Sequence, residues 1–192
     1  MAELLIFHHA QGLTAGCRAF GERMTAAGHT THVPDLYDGR TFETLEEGIA
    51  HAEQVGFATI IERGHAAAAE LPGELVYVGF SLGALPAQAV AQSRPGARAV
   101  VLFHSCIPPE EFGSWPAGVP LQIHIMEDDP LASPPEIDLE TARRLDATLE
   151  EATFFAYPGE RHLFADDSLP AYDAGAARQA EARVLELLEP LA

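Results

Sequence analysis

The sequence predicts an α/β fold, with helices covering both faces of a mainly parallel, open β-sheet. Short apolar runs of strand length alternate with helical stretches along the whole chain, which is the pattern of consecutive strand–helix–strand units. A length of 192 residues fits one domain over residues 1–192 with a substantial buried core. We therefore expect about six or seven strands and no separate cap domain.

Each predicted strand is a short apolar run bounded by polar or turn-forming residues. In chain order, the predicted strands are Leu4–His8, Thr30–Val33, Glu74–Gly79, Ala99–Phe103, Pro120–Met126 and Thr153–Tyr157. The predicted helices are Thr14–Ala27, Glu43–Glu70, Leu82–Ser93, Leu139–Leu149 and Asp173–Leu188. The longest helix contains three glycines, and each is a point where it could break: Gly48, Gly56 and Gly64.

The composition argues against several classes of partner. The formal net charge is −18, with 29 acidic residues against 11 lysines and arginines, so phosphate backbones and anionic membranes are repelled. We expect no nucleic acid and no membrane among the partners. Cys17 and Cys106 are too few for a disulfide framework. The first apolar run lacks a basic leader and stops at His8, so we expect a cytoplasmic protein with reduced thiols.

The most specific motif is the pentapeptide Gly79-Phe80-Ser81-Leu82-Gly83, which lies between a predicted strand and a predicted helix. This is the context of a nucleophile elbow, in which small neighbours allow the tight turn that exposes the serine hydroxyl. The backbone N–H of Leu82, at the start of the helix, then points at an oxyanion on a bound acyl group. An ordinary strand-to-helix connection with an N-cap serine is the alternative.

A serine nucleophile needs a base and an acid, which follow it in the chain in this architecture. The acidic cluster Glu127-Asp128-Asp129 and then His162 each come just after a predicted strand. Parallel strands would bring both groups to the edge of the sheet that carries Ser81. Because Pro130 favours an extended conformation at Asp129, Asp129 is the preferred acid. Asp128 is the alternative, and Glu127 is less favoured.

Other side chains are candidates for the wall of the substrate pocket. His9 and His104 follow strands at the same edge, and Phe80 and Trp115 could supply apolar surface. His104 is expected to hydrogen-bond its neighbours, and a structural role is the alternative for His9. Two proline-containing loops, 106–120 and 131–137, are expected to form pocket walls. The histidine spacings match no common zinc pattern, so we predict no metal and no cofactor.

Three further strings resemble the dienelactone hydrolase family of the α/β-hydrolase fold. They are His8-His9-Ala10-Gln11-Gly12, Pro34-Asp35-Leu36-Tyr37 and Tyr157-x-Gly159-x-x-His162-x-Phe164. The resemblance covers most of the chain. It implies Ser81 as nucleophile, Asp129 as acid and His162 as base. It also implies an oxyanion hole formed by the backbone N–H groups of Ala10 and Leu82.

The chain departs from the founding members of that family at two positions. Those enzymes use a cysteine nucleophile where this chain has Ser81, and His9 stands where they carry a glutamate. The cyclic diene substrate therefore does not carry over with the fold. We expect a serine hydrolase that acts on a small ester or lactone as its small-molecule partner. An acyltransferase with the same triad and a non-catalytic binding protein are the alternatives, and a homo-oligomer stays open.

Overall fold

A six-stranded sheet forms the centre of the molecule, and all of its strands are parallel. The computed structural model describes residues 1–134 and 137–191. The strands are β1 (Glu3–Phe7), β2 (Thr30–His32), β3 (Leu75–Phe80), β4 (Ala97–Phe103), β5 (Leu121–Met126) and β6 (Ala152–Tyr157). They lie in the order β2-β1-β3-β4-β5-β6. The predicted mainly parallel α/β architecture is confirmed, and the strand bounds agree with the predicted ones within two residues.

Helices cover both faces of this sheet. They are α1 (Ala15–Ala26), α2 (Leu45–Val55), α3 (Phe57–Ala69), α4 (Ala84–Ser93), α5 (Asp138–Thr148) and α6 (Ala174–Leu188). Single 3₁₀ turns lie at Ser81–Gly83, Pro109–Glu111 and Glu189–Leu191. The core residues of α2 to α5 form one cluster with the sheet, and those of α1 and α6 form a second cluster on the opposite face. Strand β3 is buried along its whole length.

The long helix expected over Glu43–Glu70 is two helices, because the chain breaks at Gly56. Gly56 ends α2 and begins α3 with φ 88°, a conformation that costs other residues steric strain. The start of α2 is also well defined. Thr44 and Glu47 form a reciprocal capping box, which satisfies two backbone N–H groups that otherwise lack helical partners.

Replacing Gly56 with alanine is expected to lower the free energy of unfolding by about 1–2 kcal/mol, because the new β-carbon is strained at this φ. The nearest atom to that carbon is Thr59 Oγ1 at 3.9 Å, so the measurement reports strain without crowding. Urea unfolding of Gly73→Ala provides the control, since Gly73 has nothing within 4 Å and no positive φ of this kind. The control should change stability by less than about 0.5 kcal/mol. Equal losses in both variants would contradict the explanation.

The strand order locates the crevice where a ligand would bind. From β1 the chain first crosses outward to β2, and later returns past β1 to β3 before continuing outward to β6. Ligands bind in open α/β sheets beyond the carboxyl ends of the strands at which such a reversal occurs. Here those strands are β1 and β3, which lead to Ala10 and Ser81. None of the helices in the described ranges combines the length and apolar character of a membrane span.

Candidate active site

Ser81 lies on the tight turn between β3 and α4, in a left-handed backbone conformation with φ 49°. The two glycines of the motif permit this turn for a spatial reason. A β-carbon on Gly79 would overlap the backbone of Gly83 and Ala84, and one on Gly83 would overlap the carbonyl oxygens of Phe7 and His8. The two glycines therefore allow the backbone of the turn to pack closely against the end of β1, and the serine side chain lies at the edge of the sheet.

The structure brings Ser81, His162 and Asp129 into one chain of hydrogen bonds. Ser81 Oγ lies 2.8 Å from His162 Nε2, and His162 Nδ1 lies 2.7 Å from Asp129 Oδ2. Asp129 is fully buried, and its other carboxylate oxygen accepts the Leu131 N–H at 2.9 Å. Asp128, the alternative acid, is exposed. The carboxylate that hydrogen-bonds His162 therefore belongs to Asp129 and not to Asp128.

The two backbone N–H groups expected to form an oxyanion hole lie after neighbouring strands. Ala10 follows β1, and Leu82 belongs to the 3₁₀ turn that follows β3. Throughout the two described ranges, the Ala10 N–H donates to no backbone carbonyl. The Ala10 loop is held closely, since a β-carbon on Gly48 of α2 would overlap the Ala10 carbonyl. The Ala10 loop is thus packed against α2.

A cleft of about 390 Å³ opens beside the Ser81 hydroxyl. Apolar side chains from α2, α3 and the loop after β5 form its rim: Ile49, Phe57 and Leu131 are 37%, 46% and 40% exposed. Leu82, Leu85 and Ile107 add apolar surface, and the polar lining consists of Ser81, His104, Ser105, Asp138 and His162. Ile107 and Leu131 belong to the two loops expected as pocket walls. Residues 135 and 136 of the second loop lie outside the described residues.

His104 lines this cleft, but the hydrogen bonds expected to its neighbours are absent. The ring is fully buried, and neither nitrogen has a partner among the residues that the structure describes. Its ring centroid lies 5.5 Å from that of His162 and 4.7 Å from that of Phe164. Burial, together with the charge of His162, holds the pKa of His104 well below its usual value. The ring is accordingly neutral at pH 7.

His9 does not line the cleft, because a buried carboxylate on another loop holds its side chain. His9 Nε2 lies 2.8 Å from Asp166 Oδ2, and both side chains are buried. Burial lowers the pKa of His9, but the hydrogen bonds and charges of Asp166 and Cys17 together outweigh burial and raise that pKa to about 9. The structural alternative for His9 is the one the structure supports. Asp166 was not predicted, since nothing in its local sequence marks a partner 157 residues away.

Asp166 is the centre of a larger buried network that joins three segments. Its Oδ2 also accepts the Thr14 hydroxyl at 2.5 Å, next to the start of α1. Its Oδ1 accepts the backbone N–H and the hydroxyl of Ser168 at 2.9 and 2.6 Å. The network therefore ties the loop that carries Ala10 to the loop that carries His162, four residues before Asp166.

Phe80 and Trp115 also lie away from the cleft, contrary to expectation. Phe80 is the last residue of β3 and points to the opposite face, where its ring stacks on Phe103 at a centroid distance of 4.6 Å. Alternation along the strand explains this, since Ser81 and Phe80 cannot face the same side. Trp115 packs on the other core, and its Nε1 donates to the Val119 carbonyl at 2.8 Å.

The remaining histidines at this edge each have their own hydrogen-bond partners. His8 Nε2 accepts the Leu36 N–H at 3.0 Å, and His8 Nδ1 lies 2.8 Å from the His9 carbonyl. His124 Nδ1 lies 2.8 Å from the Tyr157 hydroxyl. Asp35 braces the turn after β2 by accepting the N–H groups of Tyr37 and Gly39. His8 and Asp35 thus shape the loops around the crevice.

A parallel sheet that presents a serine on a tight turn after a central strand defines the α/β-hydrolase fold, and solved structures agree. A dienelactone hydrolase-like promiscuous phosphotriesterase from metagenomic libraries aligns with a TM-score of 0.75 at 18% identity, over 100% of this chain and 87% of its own. A pyrethroid hydrolase from Sphingobium faniae aligns with 0.60 at 15% identity, over 99% and 98%. A cold-adapted esterase from an Arctic intertidal metagenomic library gives 0.59 at 15%, over 95% and 82%.

The chain belongs to the dienelactone hydrolase family, whose model matches residues 2–192. The resemblance inferred from the sequence motifs is thereby confirmed. The solved structures above are similar in fold, at identities too low to transfer a substrate. A comparison with curated protein sequences found no match. The chain is thus a member of a hydrolase family.

Proposed function

We propose that the protein is a serine hydrolase that cleaves small carboxylic esters or lactones through an acyl-enzyme. One observation carries the proposal: the unbroken hydrogen-bond chain from the Ser81 hydroxyl through His162 to the buried Asp129 carboxylate. A binding protein has no need for a serine in a strained conformation with a base and an orienting acid behind it. Family membership supports the same reaction class.

In the acylation step, Ser81 Oγ attacks the ester carbonyl carbon while His162 Nε2 takes the hydroxyl proton. Asp129 holds the His162 Nδ1–H and stabilises the imidazolium that forms. The carbonyl oxygen becomes an oxyanion that accepts the backbone N–H groups of Ala10 and Leu82. Each such donor contributes about 3 kcal/mol to the stabilisation of the transition state in other hydrolases. Collapse of the intermediate breaks the ester C–O bond, and His162 returns the proton to the leaving alkoxide.

Water completes the cycle by the same steps. His162 takes a proton from a water molecule, whose oxygen attacks the acyl carbonyl. The second oxyanion accepts hydrogen bonds from the same two N–H groups. Its collapse releases the acid, and His162 returns its proton to the Ser81 oxygen. Water that enters the open cleft can reach the acyl-enzyme and is far more concentrated than any alcohol or thiol, which favours hydrolysis. No cofactor takes part in this cycle.

A fluorophosphonate probe tests the proposal, because only an activated serine reacts with it covalently. We expect stoichiometric labelling that peptide mass spectrometry maps to Ser81. In His162→Ala the rate of labelling should fall by at least about 100-fold. Ser105→Ala is the matched control. Ser105 lines the same cleft but donates its hydroxyl to Asp138 at 2.6 Å, so its removal should leave labelling at Ser81 in place.

Two results would contradict the proposal. One is the absence of labelling in a folded protein, which would favour a binding protein. The other is labelling that maps to another residue or survives His162→Ala at the full rate. Product analysis with p-nitrophenyl acetate and an added alcohol separates hydrolysis from acyl transfer, since the hydrolase releases free acetate as its main product.

A further inference from the structure

A second carboxylate faces the cleft beside Ser81 and His162. Asp138, the first residue of α5, lines the same cleft as the apolar residues of α2 and α3. Its Oδ1 accepts the Ser105 hydroxyl at 2.6 Å and the Cys106 N–H at 2.9 Å. Both donors belong to the loop that follows β4, so the carboxylate is fixed to the sheet edge independently of the helix that carries it.

No lysine or arginine side chain pairs with this carboxylate within residues 1–134 and 137–191. Asp138 takes part in none of the ion pairs between described residues, and the described residues that line the cleft include no lysine or arginine. Burial raises the pKa of Asp138 above its ordinary value, and the hydrogen bonds from Ser105 and Cys106, with the charge of His162, oppose part of that rise. The two donated hydrogen bonds favour the ionised form.

Most of the other side chains that line the cleft are apolar, which strengthens the interaction of that charge with a bound group. Ile49, Phe57 and Leu131 form the rim, and Leu85 and Ile107 lie deeper. Apolar walls exclude water from a bound acyl chain, so a charge on that chain interacts with Asp138 at a lower effective dielectric than in bulk water. The net charge of the whole protein, −18, is also negative and repels anionic substrates in the same way.

We infer that the cleft selects esters by charge: the acyl group of the substrate is apolar and either neutral or positively charged, and carboxylate-bearing acyl groups are rejected. This inference rests on the proposed esterase function, because it concerns the acyl group that would be transferred to Ser81. It names Asp138 as a specificity-determining residue. A carboxylate-bearing acyl group would lie beside a fixed negative charge with no cation to receive it, whereas an ammonium group would find a counter-ion.

Two isosteric pairs of p-nitrophenyl esters test the inference. The anionic pair is the adipate monoester and its methyl ketone isostere, in which CH₃ replaces the carboxylate oxygen. The cationic pair is the γ-trimethylammoniobutyrate ester and its tert-butyl isostere. After subtraction of the uncatalysed rate, we expect kcat/KM for the adipate monoester to be at least about tenfold below that of its isostere. The trimethylammonium ester should exceed its isostere by about threefold or more.

The variant Asp138→Asn assigns the selectivity to this residue. Asparagine keeps an oxygen that accepts from Ser105 and Cys106 while it removes the charge. We expect the discrimination against the anionic ester to shrink by about fivefold or more and the preference for the cationic ester to fall to about one, with the neutral esters as internal reference. Glu140→Gln is the matched control, because Glu140 carries its charge in the same first turn of α5 but does not line the cleft. That variant should leave both ratios within about twofold of the parent protein.

The outcomes separate the inference from the function on which it rests. If no neutral ester is turned over, the proposed esterase function fails. If the neutral esters are turned over and the anionic ester is turned over equally well, the function stands and the charge selection is overturned. Selection that persists unchanged in Asp138→Asn, or disappears equally in Glu140→Gln, would overturn the role assigned to Asp138.

Discussion

Ser81→Ala is expected to reduce kcat for p-nitrophenyl acetate by about 10⁴-fold or more, with the fold intact. The reason is that no acyl-enzyme can form without the hydroxyl, and His162 and Asp129 then have no nucleophile to activate. Stability should change little, since alanine and serine have similar strain at the φ of 49° adopted by this residue. Steady-state kinetics with a blank for uncatalysed hydrolysis measures the loss.

Circular dichroism and thermal unfolding of Ser81→Ala must accompany those kinetics, so that a loss of activity is not a loss of structure. Ser105→Ala again serves as the control within the same cleft. Turnover at the parent rate by a folded Ser81→Ala protein would refute the assignment of the nucleophile. A loss of the same size in Ser105→Ala would show that the assay reports general damage to the cleft.

Asp166→Asn is expected to destabilise the protein by about 3 kcal/mol, because it breaks a buried pair whose other members stay in place. His9 and Thr14 would each face an amide that cannot accept as a carboxylate does, and Ser168 loses a charge-assisted partner. Urea unfolding measures the change. A pH of 5.5 is suitable because it lies between the pKa of Asp166, about 2, and the pKa of His9, about 9. The size of this effect should exceed that of any exposed ion pair in the described chain.

The same residue gives a prediction for acid stability. Burial alone would raise the pKa of Asp166, but the hydrogen bonds from His9, Ser168 and Thr14 lower it to about 2. A carboxylate with a lowered pKa stabilises the fold above its unfolded pKa near 4, and that stabilisation is lost as the pH falls toward 2. The parent protein should thus lose about 2 kcal/mol over this range from Asp166 alone. Asp166→Asn should lack this component of the acid slope.

Asp167→Asn is the matched control for both measurements. Asp167 is the adjacent residue, and its carboxylate pairs with Arg23 at 3.0 Å with both side chains about a third exposed. Exposed pairs of this kind contribute about 0–1 kcal/mol, so the control should unfold close to the parent protein. Equal effects in the two variants, or an unchanged acid slope in Asp166→Asn, would count against the buried network.

The architecture was predictable because the burial of strands and the alternation of strands with helices both produce recognisable sequence patterns. A strand buried on both faces, such as Leu75–Phe80, is a continuous apolar run, and parallel pairing follows from the helices between such runs. Which of the three glycines breaks the long helix was not predictable from residue type, since Gly48 and Gly64 lie within helices without interrupting them. Those two glycines are retained for packing: β-carbons there would overlap the Ala10 carbonyl and the Pro86 ring.

The candidate site was predictable only in part, and the reason is geometric. Ser81, Asp129 and His162 follow three strands of one parallel sheet, so their order in the chain brings them to one edge. Which way a neighbouring side chain points depends on local backbone angles that residue type does not reveal. His104, for example, adopts φ 68° and turns toward the cleft, whereas His9 turns away to a carboxylate 157 residues distant.

The rim of the cleft has a consequence for how this enzyme family can diversify. Ile49, Phe57 and Leu131 come from separate peripheral segments and are each more than a third exposed, so each can be exchanged at little thermodynamic cost. The proposed reacting groups, Ser81, Asp129 and His162, by contrast, follow the carboxyl ends of strands in the central sheet. Substitutions at the rim can therefore change which substrates enter the cleft while the residues proposed to carry out the reaction stay the same.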